Sequence, residues 1–300
     1  IRVRGGNSIS GSNEPLYVID GFPIKAGESD DAVIDNASPL NPLATLNPND
    51  IKSIEVLKDA ASTSIYGAEG ANGVILITTK SGESGKSKIE VNARYSIAEV
   101  RNRLDLVDKD EYVLSRNRAY ITGTGEPFFD QARIDTMYSN WANTDWQELM
   151  FRPAETTDLN LSFSGGNQEN SYRLSGNYYD QEGVVLKSDY TRGSLRFNFD
   201  NKIFDWAKVG GRTFASYQKG NFASTDGSGQ TENIIQRIAY SSPLMDPYEE
   251  DGEINALNND GEVIPNPLAM VRFKDKNFER NVFNGNIFAE FDILAGLKLR

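Results

Sequence analysis

The chain has 300 residues, with no cysteine and no histidine, 43 acidic against 31 basic side chains and a net charge of −12. That balance repels a polyanion and excludes nucleic-acid binding. The missing thiols and imidazoles remove disulfides, cysteine nucleophiles, the usual triad base and the commonest metal ligand. No apolar run approaches the roughly 20 residues of a membrane helix; a membrane barrel, whose strands face lipid only at alternate positions, stays open.

Only carboxylate chemistry survives this filter, and nothing singles out a catalytic pair. The expectation is therefore a protein that is not an enzyme, with no cofactor and no metal site. The chain starts "IRVRGGNSIS", without Met or a leader pattern, and stops inside an alternating stretch, "GLKLR"; it reads as a piece of a longer chain.

In chain order, the first 82 residues predict a compact mixed α/β unit. "EPLYVIDGFPI" is a short strand ending in an Asp-Gly turn. "NPNDIKSIEVLKDAASTSIYG" is a Pro-led turn, a strand around Ile54 and Val56, and a small-residue segment. "GANGVILITTK" is a tight turn feeding an apolar strand, and apolar strands of this kind are expected to be buried on both faces. A linker at 83–87 follows.

Around that linker, "GESGKS" imitates a phosphate-binding loop. Gly85-Lys86-Ser87 fits the G-K-[ST] end, but Lys80 stands where the first glycine belongs. The next ten residues, "KIEVNARYSI", alternate with period two and so predict a strand, where a phosphate loop needs a helix N-terminus. A nucleotide hydrolase is excluded on both grounds.

From residue 88 onward the period-two pattern recurs. Leu159, Leu161 and Phe163 alternate with Asn160, Ser162 and Ser164; Leu195, Phe197 and Phe199 alternate with Arg196, Asn198 and Asp200. Further strands run through Tyr172–Tyr178, Ala207–Ala215 and Phe283–Phe291, and a last one starts at Leu297. About seven strands of about ten residues, with charge in mid-strand, suit a membrane barrel with a wet interior better than a soluble sandwich or jelly roll. Long connections at 98–156 and 219–280 alternate with short ones, as in barrels whose long loops are all external. Asp108 followed by Glu111 predicts a capping box opening a short helix. "NNDGE" lacks the ligand spacing of a calcium loop and reads as a turn, and Glu249, Glu250 and Asp251 read as a solvated loop, with an open calcium site as the alternative. Tyr95, Tyr178, Tyr190, Phe204 and Trp206 are placed for aromatic girdles, with core packing as the alternative for Phe204.

The runs "IRVRGGNSISGSNEPLYVIDGFPI" and "LNPNDIKSIEVLKDAASTSIYGAEGANGVILITTKSG" closely resemble the plug of TonB-dependent outer-membrane transporters, and within them the SusC/RagA branch. "DWQELMFRPA", "LSFSGGNQENSYRLSGNYYDQEGVV" and "NPLAM" resemble the start of that branch's barrel. The resemblance implies a mixed α/β plug domain (1–82), the linker (83–87) and then antiparallel transmembrane β-barrel strands (88–300), an incomplete part of a barrel of about 22 strands. It implies an outer-membrane importer of an oligosaccharide or peptide, acting with a SusD-like surface lipoprotein and TonB, which ExbB–ExbD energise. A siderophore or cobalamin receptor of the same superfamily, or a soluble secreted glycan-binding β-protein, is the alternative.

The plug-motif residues are Arg2, Arg4, Gly5, Gly6, Asp20, Gly21, Glu55, Lys58, Asp59, Tyr66, Gly67, Asn72 and Gly73, for which a structural role is expected. Arg2, Arg4, Glu55, Lys58 and Asp59 are expected to pair with lumen residues such as Arg196 or Glu290, or else within the plug or with solvent. Trp141, Trp146 and Tyr248 are loop aromatics that could stack on sugar rings, with loop packing the more frequent role of each.

Overall fold

The computed structural model describes residues 15–24, 42–222, 233–255, 266–273, 277–294 and 297–299. Two sheets organise them. The first is a mixed four-stranded sheet of β1 (Leu16–Ile19), β2 (Phe22–Ile24), β3 (Ile51–Leu57) and β4 (Val74–Thr79), in the order β2-β1-β4-β3. β1 runs parallel to β4, and the other pairs are antiparallel. Asp20 and Gly21 join β1 to β2 with φ of 50° and 91°. Positive φ at both central positions defines a primed hairpin turn, which is why Asp-Gly stands there.

β1 and β4 are central and fill two apolar clusters, one around Tyr17, Ile19, Leu46, Ile75 and Ile77, the other around Leu16, Val18 and Val74. The expectation of strands buried on both faces holds for this pair. It fails for β3, where Ile54 and Val56 are exposed. β3 is an edge strand, flanked by β4 alone. A one-turn helix, α1 (Ala60–Thr63), lies between β3 and β4.

The second sheet holds β5 (Gly85–Ala98), β6 (Ala154–Gly166), β7 (Asn170–Glu182), β8 (Asp189–Phe204), β9 (Ala207–Asn221), β10 (Asn277–Leu294) and β11 (Leu297–Leu299). Each is antiparallel to the next, and the order is the chain order. β5 to β10 have 13 to 18 residues, longer than the ten or so expected. The reason is that pairing continues beyond the apolar stretches, for example at Ile97 with Glu155 and at Thr156 with Gln181.

The faces of this sheet are inverted relative to a soluble protein. Leu161 and Leu195 are 56% and 54% exposed, whereas Ser162 and Arg196 beside them are 1% and 4% exposed. The polar residues of the period-two pattern face the first sheet, and the apolar ones face away.

The linker expected at 83–87 is shorter, because β5 already pairs with β6 at Gly85. It is also not free: a Cβ on Gly82 would lie 2.4 Å from the backbone of Tyr172. Only glycine permits that approach between chain and β7.

The long connections leave one end of the sheet and carry α2 (Lys109–Thr124), α3 (Gln131–Met137), α4 (Trp146–Met150), α5 (Ile234–Tyr240) and α6 (Pro267–Phe273). Asp108 caps α2 by accepting from the Glu111 amide, and Gly125 closes it at φ 87°. With 16 residues, α2 is longer than the short helix expected. The two connections share a core of Trp146, Met150, Ile234, Ile238, Met245 and Met270, joined by Val185 from the β7–β8 turn.

Aromatic rings mark both ends of the outward face. Tyr95 and Tyr178 are exposed toward the long connections, while exposed Phe204 and Trp206 stack at 5.3 Å at the other end, with Phe291 6.1 Å from Trp206. Phe204 is therefore not core. Tyr190 does not join either group: it points inward, and its hydroxyl donates to the Ala44 carbonyl at 3.2 Å. It shares the face of Arg192 and Arg196, two and six residues on, as strand alternation demands. From Gly193, which pairs with Tyr178, to Phe204, the strand climbs about 36 Å. At the usual tilt of roughly 35–45° this is a height of about 26–30 Å, close to the roughly 25 Å apolar band of membrane barrels.

Candidate functional site at the seam between the sheets

β8 supplies most of the seam. Its inward positions alternate along the strand and carry Arg192, Arg196 and Asn198, all buried. Each meets a different part of the first unit. Arg192 Nη1 donates to the Ala44 and Leu46 carbonyls at 2.7 and 2.9 Å, and Nη2 donates to Asn177 Oδ1 at 3.0 Å. Asn198 Nδ2 donates to Thr79 Oγ1 at 3.0 Å and to the Lys80 carbonyl at 2.9 Å.

Arg196 lies between them. Its Nη1 is 3.4 Å from Asp20 Oδ2 and its Nε is 3.7 Å from Asp50 Oδ2, while its guanidinium sits over the Phe214 ring at 4.7 Å. Asp20 is held in turn: Oδ1 accepts from the Thr79 amide at 2.8 Å and Oδ2 from the Thr79 hydroxyl at 2.7 Å. The Asp-Gly turn, the end of β4 and β8 are thus tied through one carboxylate. On β6, Asn160 Oδ1 accepts from Asn47 Nδ2 at 2.6 Å.

The chemistry of this seam is polar almost throughout, Phe214 being the main apolar member. The apolar clusters of the first unit lie inside it, and the apolar face of the long sheet looks away. Parting the two units exposes hydrogen-bonding groups that water can serve, rather than a hydrophobic core. Removing one charge alone is different, since an uncompensated buried ion costs about 3–5 kcal/mol. The seam therefore holds firmly as a set and can open as a set.

Of the residues expected from sequence, Asp20 and Gly21 are at the seam. Glu55, Lys58 and Asp59 are exposed and do not meet Arg196, because they lie on or just after the edge strand β3. Glu290 pairs with Lys298 at 3.2 Å instead. Tyr66 packs beside Leu16, Val18 and Val74; Gly67 and Gly73 take φ of 59° and 95°; Asn72 is partly buried before the latter. Arg2, Arg4, Gly5 and Gly6 lie outside the described residues, as does "NNDGE". Glu249, Glu250 and Asp251 form an exposed turn closed by the Gly252 amide on the Glu249 carbonyl at 2.9 Å.

The loop aromatics divide. Trp146 is 2% exposed in the shared core and donates from Nε1 to the Ser242 carbonyl at 2.9 Å, so it has no face for a ligand. Trp141 is partly buried among Phe129, Tyr138 and Arg133. Tyr248 is exposed beside the bridge to Ile254. Sequence reasoning missed Asn47, Asp50, Thr79, Arg192 and Asn198. The run of polar side chains on alternate positions of β8 was the available signal.

Comparison with known proteins agrees with this architecture. The TonB-dependent Receptor Plug Domain family matches residues 1–74. TonB-dependent receptor P3 of Formosa agariphila is 34% identical over 303 residues, covering 100% of this chain and 27% of that protein. TonB-dependent receptor SusC of Bacteroides thetaiotaomicron is 34% identical over 319 residues, covering 100% of this chain and 30% of that protein. The solved RagAB peptide importer superposes with a TM-score of 0.76 at 28% identity, over 98% of this chain and 34% of its own. The chain thus spans about a third or less of the length of the proteins it matches. It belongs to the SusC/RagA-type TonB-dependent transporters and corresponds to their plug and the first strands of their barrel.

Proposed function

We propose that this chain is part of an outer-membrane importer, driven through TonB and ExbB–ExbD, that takes up an oligosaccharide or a peptide handed over by a SusD-like surface lipoprotein. In this reading residues 1–82 are the plug, 83–87 the joint, and 88–300 the opening part of the barrel, with 98–156 and 219–280 outside the cell. The plug-motif residues keep the plug's turns and strands in shape and do not touch cargo. Tyr248 is the exposed loop aromatic offered to a sugar ring or peptide side chain.

The inverted long sheet carries the reading: apolar side chains outward, polar ones turned onto the plug. A barrel in lipid needs that outer face, and a movable plug needs a seam whose broken contacts water can replace. No helix among the described residues is long and apolar enough to span a membrane. The neighbour's description as a peptide importer favours an oligomeric nutrient over a metal chelate.

The test is uptake by cells carrying the full-length gene, a deletion of it, or a deletion of TonB. Labelled oligosaccharides and peptides, a ferric siderophore and cobalamin are offered in parallel. Loss of one oligomer's uptake in both deletions supports the proposal. Uptake indifferent to TonB, or loss confined to the siderophore or cobalamin, contradicts it.

A further inference from the structure

The outward face of the long sheet is not uniformly convex. A trough of about 960 Å³ crosses β7, β8 and β9, walled by Leu161, Tyr178, Leu195, Tyr217 and Phe283 and floored by Gly176 and Gly193. It is shallow and widely open, a surface groove rather than an enclosed pocket. Its wall side chains are apolar or aromatic.

The two floor glycines have no internal cause. Elsewhere in this sheet several glycines meet crowding: a Cβ on Gly210 or Gly211 would fall 2.4 or 2.3 Å from a Phe ring, and on Gly220 2.7 Å from the Asp189 carbonyl, while Gly285, next to the trough, meets only ordinary contacts at 3.5 Å. At Gly193 a Cβ meets nothing within 4 Å, and at Gly176 only ordinary contacts at 3.9 Å. Neither has a positive φ. Glycine inside a strand costs roughly 0.5–1 kcal/mol and commonly marks the close approach of something outside the strand.

We infer that this trough is a binding site for a lipid, seating one acyl chain against the backbone of β7 and β8. The inference rests on the outer-membrane reading, which surrounds this face with lipid. The trough opens within the outward apolar belt. It lies at the end of that belt nearest the long connections, where Tyr178, Gly193 and Tyr217 share one row of the sheet. The chain therefore belongs to the leaflet that borders those connections, with its head group above the two tyrosine rings. A second copy of the protein is the competing occupant. It would need a protruding complement, and the most exposed side chains nearby, Phe283 and Ile287, stand on or beside the trough's own rim.

The test uses the full-length transporter, extracted with its surrounding membrane and then washed in detergent. Native mass spectrometry counts retained lipid in the wild type and in Gly193→Val and Gly176→Ala, both of which the local space accommodates. The expected result is retained lipid in the wild type that falls roughly tenfold in Gly193→Val and less in Gly176→Ala. The heat-resistant folded band on gels and nutrient uptake should stay unchanged. Equal retention in all three overturns the proposal, as does efficient disulfide cross-linking between copies carrying Leu195→Cys. A protein that does not fractionate with the outer membrane overturns the importer reading itself, which is a separate outcome.

Discussion

Arg196 of β8 reaches the carboxylate of Asp20 at 3.4 Å across 176 residues of sequence, and that carboxylate is already committed to Thr79 at 2.8 and 2.7 Å. One side chain thus carries the contact between a turn, a strand end and the barrel wall. Asp20 can do this because the turn holds it in the left-handed region, and the same turn fixes β1 against β2.

Removing that guanidinium leaves Asp20 and Asp50 facing each other's charge without a cation. Arg196→Ala is expected to weaken the seating of the plug by about 3–5 kcal/mol. Asp20→Asn should cost less, since the amide still accepts one bond from Thr79. Limited proteolysis of the plug in the folded barrel measures both. The double variant should lose less than the two single losses combined, because they share one contact.

Gly82→Val places side-chain atoms inside the Tyr172 backbone. Crowding of this kind costs roughly 1–3 kcal/mol where the chain can shift, and more where it cannot. The variant should give fewer heat-resistant barrels, and Gly82→Ala should show a milder form of the same defect.

Outward and inward positions of the long sheet should respond unequally to charge. Leu174→Arg, on an exposed outward side chain one row further toward the middle of the outer face than Leu161, is expected to destabilise a membrane barrel by about 2–4 kcal/mol. Lys208→Glu, an exposed residue on the plug-facing side, should have a smaller effect, confined to its 3.1 Å pair with Asp200. Comparable small effects at both positions would point to a soluble sheet.

Trp146→Ala empties the core shared by the two long connections, at about 3–5 kcal/mol for a buried aromatic. Loop proteolysis should rise sharply. Tyr248→Ala should leave the loops protected and lower only cargo binding, which equilibrium titration with the transported oligomer measures.

Much of this architecture is legible in the sequence because it depends on local rules. Asp-Gly demands a primed turn, period-two runs demand strands, and Asp108 with Glu111 demands a helix start. The polar phase of β8 was visible as well. What the sequence does not reveal is the partner of each polar residue. Arg196 could be seen to need an acid, but only the fold chooses Asp20 and Asp50 over Glu55 and Asp59, since edge strand β3 turns those two away. Trp146 takes the loop-packing role, but its packing partners Ile234, Ile238 and Met270 were not legible because they come from a connection about 90 residues or more distant. Tyr190 was misjudged because residues at strand ends carry the face of their strand, whatever their aromatic character.

The proposal that the plug moves, parting the polar seam, is tested most directly by locking it. Asn47 and Asn160 touch at 2.6 Å across the seam, and the chain has no cysteine to interfere. In full-length transporter carrying Asn47→Cys and Asn160→Cys, protein bridged by a short reducible bis-thiol reagent that spans the room left by the two amides should bind its cargo and fail to import it, and reduction should restore import. Undiminished import by fully cross-linked protein would contradict the account.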